Sequence, residues 1–186
     1  MKYASVLLLL ALAAHTAQAA ESHKDVAATE LAQAEAFIDA FYSFEPEQLK
    51  PLLAQADDSA ARIMNYQGWA EGGNYKVVHR QPCEAESPTL IRCAITVEDD
   101  PVLALNTGFN VTDTFHLHFE EGHIASIETS SNDQPIYYEA RSWVEKNRPE
   151  IMEGPCSEEA NTPGACARAM TEGYKAFYQS TQTPSP

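Results

Sequence analysis

His116 and His118, one residue apart in the run VTDTFHLHFE, place two imidazoles on one side of an extended strand. Two ligands of a metal site can use that spacing. Val111, Phe115, Leu117 and Phe119 take the opposite, apolar side, so the histidines face away from the main core. Thr96, Glu120 or Glu128 would have to complete a coordination shell, and the competing reading is an outer face that is solvated or covered by a helix. His79 is a single imidazole suited to proton transfer, because histidine titrates close to neutral pH. Its competing reading is a core histidine bonded to a carbonyl or a tyrosine hydroxyl. Asp113 begins the strand that carries His116, and a carboxylate there is either a turn residue or a proton acceptor.

Glu98-Asp99-Asp100 has the composition of a calcium loop without its alternating ligands or glycine, and reads as a polar turn. Tyr66, Trp69, Tyr75, Tyr137, Tyr138 and Trp143 are either the walls of an apolar cavity or plain core. The chain has no Ser/His/Asp elbow, P-loop, dinucleotide fingerprint or HExxH, which counts against common hydrolases, NTPases and dehydrogenases. No cofactor is implied.

Export is read from the first nineteen residues. Lys2 is a minimal positive region, the run from Val6 to Ala14 is apolar, and Ala17-Gln18-Ala19 is a small-x-small cleavage pattern. The apolar run is too short for a membrane span, which takes about 20 residues. Residues 1–19 are therefore expected to be a signal peptide, leaving one periplasmic or secreted domain with no membrane partner. A formal charge of −15, with 12 basic residues scattered along the chain, makes nucleic acid a poor partner and favours solubility. Four cysteines in an exported chain point to disulfides, with three connectivities open. Cys83–Cys93 and Cys156–Cys166 are preferred because each pair brackets a short turn-rich segment. Zinc is the competing reading, weakened by the lack of any CxxC.

The elements that must position these residues follow from periodicity. Asp25 to Phe44 reads as a helix with Leu31, Ala34, Ile38 and Phe41 on one face. Pro46 opens a short second helix that Pro51 bends. Asp57-Asp58-Ser59 caps a third, which runs to about Trp69 and is ended by Gly72-Gly73-Asn74. Tyr75 to Glu86 and Thr89 to Glu98 then form a hairpin about Ser87-Pro88. A symmetric register sets Cys83 opposite Cys93 and His79 opposite Val97, so that His79 looks inward with Val77 and Ile95. Val111 to Glu120 and His123 to Thr129 are strands joined at Glu121-Gly122. Pro135 opens a helix carrying Ile136, Ala140, Trp143, Val144 and Asn147 on one face, and a last helix follows Thr162-Pro163. Residues 20–149 form the α+β domain, residues 150–180 a disulfide-tied helical extension, and residues 181–186 a flexible tail.

Residues 34–55 (AEAFIDAFYSFEPEQLKPLLAQ) and 113–128 (DTFHLHFEEGHIASIE) resemble the first two helices and the last hairpin of the NTF2-like superfamily, which includes the SnoaL-like proteins and shares a cystatin-like cone. The resemblance implies an α+β cone: N-terminal helices packed on a curved antiparallel sheet that leaves a pocket at the open end. Residues 135–178 add helices beyond the family's last hairpin, and these cap the cone, dock on its outer face or meet a partner. In such a cone Tyr42, Tyr66, Trp69, Tyr75 and His79 line the pocket. The leading expectation is a non-catalytic module binding a small apolar or amphipathic ligand, or a protein partner. The alternative is an isomerase or dehydratase with His79 or Asp113 as general base. A homodimer through the outer sheet face, which bears His116 and His118, is a further expectation from the family.

Overall fold

The computed structural model describes residues 27–56 and 59–182. The expected signal peptide, the capping residues Asp57 and Asp58, and residues 183–186 lie outside them. Among the described residues the chain is an α+β fold, with seven α-helices and an open antiparallel sheet of five strands.

Residues 27–42 form α1, whose Ala34, Phe37, Ile38 and Phe41 are fully buried. Pro46 sits in the first turn of α2 (Pro46–Leu49), and Pro51 continues the chain as a 3-10 turn at Lys50–Leu53. α3 (Ser59–Gly72) ends as expected, but not by glycine conformation. Asn74 takes the left-handed turn (φ 55°), while a Cβ on Gly72 would lie 2.2 Å from the backbone oxygen of Gly164. Gly72 is required by close helix packing rather than by the cap.

The expected first strand is two strands. β1 (Lys76–Arg80) and β2 (Glu84–Ser87) pair with successive parts of β3 (Leu90–Glu98), and Pro82 lies in the interruption between them. Glu98 leads into α4 (Asp100–Leu103), where a polar turn was expected. β4 (Val111–Glu120) and β5 (His123–Ser131) form the hairpin, with Glu121 at φ 50° and Gly122 at φ 76°. Positive φ at both turn residues matches the twist of the flanking strands. The sheet order is β1-β3-β4-β5.

Alternation along β3 and β4 separates two faces. Ile91, Cys93, Ile95, Val97, Val111, Asp113, Phe115, Leu117 and Phe119 are buried on the face toward α1 and α3, and the residues that alternate with them stay half-exposed apart from Glu120, which is exposed. Gln67 ties α3 to α1 through hydrogen bonds to the carbonyls of Ala40 and Phe41, both at 3.0 Å. At the other end of α3, Ser59 accepts a hydrogen bond from the Ile127 amide of β5.

α5 (Pro135–Asn147), α6 (Pro149–Glu153) and α7 (Pro163–Gln182) build a second apolar cluster. Its buried members are Leu105, Ala140, Val144, Ile151, Met170 and Tyr174. The last helix runs to Gln182, past the start of the expected tail. α7 packs on α3 and α5, and Gly173 lets Val144 approach, since a Cβ there would lie 2.6 Å from Val144. Both expected disulfides are present, with Cα–Cα distances of 4.4 Å for Cys83–Cys93 and 4.6 Å for Cys156–Cys166. No described helix is long and apolar enough to cross a membrane.

Candidate functional site

Asp113 occupies an apolar slot. It is the third residue of β4, on the inner face between Val111 and Phe115, with Ile95 and Ser131 as its cross-strand neighbours. Only 2% of it is exposed, although it lines a cavity of about 270 Å³. It is therefore neither a turn residue nor a solvated one. Tyr42 at the end of α1 donates a 2.9 Å hydrogen bond to Asp113 Oδ2, and the Tyr66 hydroxyl on α3 also favours the charged carboxylate. Burial pushes the carboxyl up to about 6, against the opposing pull of those two hydroxyls, and the charge of Asp133 raises it further.

The cavity lies where the start of β4, the end of β5, α3, α4 and the first turn of α5 converge. Tyr66, Trp69, Tyr75 and Tyr137 are its aromatic lining; Arg62, Asp133 and Ser131 are among its polar groups. Tyr137 comes from the C-terminal helices and packs against both apolar clusters. Those helices thus contribute one wall of the cavity. Burial holds the hydroxyls of Tyr66 and Tyr75 protonated well above the ordinary tyrosine range, and pushes Tyr137 up to about 12. A wider cleft of about 860 Å³ shares Arg62, Tyr66 and Trp69 with the cavity. Arg141 and the Cys156–Cys166 loop line its far side.

Asp99 is the residue that sequence reading missed. It caps α4, accepting the Val102 amide at 2.9 Å, and its Oδ2 is buried without a hydrogen-bond partner. Burial pushes its carboxyl up to about 7; the Val102 bond lowers it, and the charges of Asp113, Asp133 and Asp100 raise it. The sequence signal was there: an aspartate two residues before Pro101 is a helix start, not merely a polar turn.

Of the five residues expected in the pocket, Tyr66, Trp69 and Tyr75 line it, and Tyr42 stands behind it on Asp113. His79 does not. The β1–β3 register shifts between Val77 and His79, so His79 pairs with Thr96 rather than Val97. A one-residue slip reverses the face, and His79 is exposed on the polar side of the sheet. Tyr138 is also exposed, whereas Trp143 packs on Phe177 in the second cluster.

His116 and His118 lie half-exposed on the outer face, as their alternation required. His116 Nδ1 is 3.9 Å from Glu86, whose carboxylate pairs with Arg92 at 3.0 Å. Among the described residues no three metal-ligating side chains come together.

No protein-family model, curated protein or solved structure matches the chain.

Proposed function

We propose that the cavity at Asp113 binds a small amphipathic ligand, with its apolar body against Tyr66, Trp69, Tyr75 and Tyr137 and its polar end at the carboxylate. The observation that carries this reading is a carboxylate on the apolar face of a strand, desolvated by the fold and yet lining a cavity. Burying such a group costs several kcal/mol unless partners compensate (roughly, for an ion in a protein interior). A leucine at position 113 would serve a merely structural core better. The cavity is at or just below the ~300–1,000 Å³ range of small-molecule sites, so the ligand is small.

An NTF2-like cone in an extracytoplasmic, oxidising compartment belongs to the same proposal. Helices on one face of an antiparallel sheet, a chamber at one end and two disulfides support it. Native mass spectrometry of the chain purified from such a compartment tests the binding reading. A retained small molecule, released on denaturation and diminished in Asp113→Asn, is the expected result. Retention unaffected by that substitution contradicts it.

A second reading has its own support in Asp113: a buried carboxyl held near neutral pH is poised to accept a proton from a bound ligand. As an isomerase or dehydratase the chain would exchange or transfer a proton alpha to a carbonyl, with Asp113 as base and the Tyr75 or Tyr137 hydroxyl as donor. Deuterium exchange into enolisable ketones, abolished by Asp113→Asn, is the outcome this reading requires. No exchange across a panel of such ketones removes it.

A further inference from the structure

Resting on the reading of the chamber as a ligand site, we propose that its ligand is an organic cation, a protonated or quaternary amine seated between the Asp113 carboxylate and the aromatic walls. The lining decides the sign. Asp113 and Asp133 both border the cavity against one base, Arg62, which donates to the carbonyl of Ile127 and keeps its charge, so the ionised lining is net negative. Asp99 adds a third carboxyl close enough to couple with the other two.

An anionic ligand would enter against these carboxylates. A neutral one would leave the ionised Asp113 desolvated beside it. A cation relieves both costs, because it neutralises the carboxylate and is attracted to the π-faces of tyrosine and tryptophan. Tyr66, Trp69, Tyr75 and Tyr137 supply four such rings around one volume of about 270 Å³. The chain's formal charge of −15 would concentrate cations at its surface and favour their entry. The volume restricts the ligand to a compact amine, with any longer substituent leaving through the adjoining cleft past Trp69.

The test is isothermal titration of the full, disulfide-closed chain at about pH 8 with choline and with its uncharged isostere, 3,3-dimethyl-1-butanol. Choline is expected to bind at one site, with the isostere weaker by roughly tenfold or more. Asp113→Asn should weaken choline by a similar factor. Asp133→Asn and Tyr137→Leu, which leave the Tyr42 contact in place, should weaken it less. Near-UV circular dichroism confirms that each variant is folded. Isostere and choline binding equally, or choline binding unchanged in all three variants, overturns the cation while leaving the chamber a ligand site. Failure of both compounds to bind also overturns it. The binding reading then fails as well only if uncharged fragments produce no chemical-shift changes at the chamber.

Discussion

The Tyr42 hydroxyl donates to Asp113 Oδ2 at 2.9 Å, joining the end of α1 to the start of β4 across 71 positions of sequence. This bond fixes the one carboxylate on the inner face of the sheet that borders the cavity, and it couples the titration of that carboxylate to the packing of α1.

Tyr42→Phe should therefore raise the titration midpoint of Asp113, because it removes a donor that favours the charged form. At pH 8 the variant should lose about 1.5–3 kcal/mol, the range for a hydrogen bond to a charged group. At pH 5, with Asp113 largely protonated, the loss should be smaller. Carbon-detected carboxyl titration reads the midpoint and urea unfolding the stability. An unchanged midpoint would separate the two residues.

Asp99 and Asp113 both have carboxyls raised above 3.8, to about 7 and about 6. Between pH 4 and 7 the folded chain then holds more protons than the unfolded chain at these two groups. Their contribution to stability falls as pH rises through that window and is lowest above it. Asp99→Asn keeps a cap acceptor for Val102 and removes the charge. It should stabilise the fold by roughly 1–3 kcal/mol at pH 8, and the gain should fade towards pH 4. A gain independent of pH, or none, would show that Asp99 is not desolvated as described.

Gly72→Ala drives a methyl into the Gly164 backbone, with contacts of 2.2 and 2.3 Å that no side-chain rotation relieves. We expect a cost of about 1–3 kcal/mol or more, the range for overpacking. Hydrogen exchange should rise first in α7 and only later in β3 and β4. Wild-type protection of α7 in that variant would contradict the close packing of the two helices.

Much of this architecture was legible because it follows a period. The alternation of β4 marked its two faces, and Pro135 and Pro149 bracketed α5. The turn at Glu121-Gly122 and both disulfides were equally readable. Asp113 itself sat in an apolar slot of that alternation, a visible sign that the usual aspartate-as-turn reading hid. His79 was misplaced because its face depended on a register, and a bulge near Val78 cannot be read from residue types. Tyr137 was one of six aromatics readable as cavity wall or as plain core, and only the tertiary placement of α5 decides between the two. Asp99 was overlooked because an acidic run resembles a solvated turn until its Val102 partner is known.

Replacing Cys156 and Cys166 together by serine should cost at most about 3 kcal/mol, as expected for a short closed loop. The loop lines the cleft beside the chamber, so the effect should appear as faster exchange at residues 155–166 while the sheet keeps its protection. Cooperative loss of the sheet in the same variant would instead make this disulfide a support of the whole fold.

Amide chemical shifts report directly whether the chamber at Asp113 is where this chain meets a ligand. In a titration of the isotopically labelled chain with small uncharged and cationic fragments at pH 8, shifts are expected at residues 66–69, 113, 129–131 and 137, weakened by Asp113→Asn. Shifts confined to the outer face around His79, His116 and His118, or no saturable shifts at all, would contradict it.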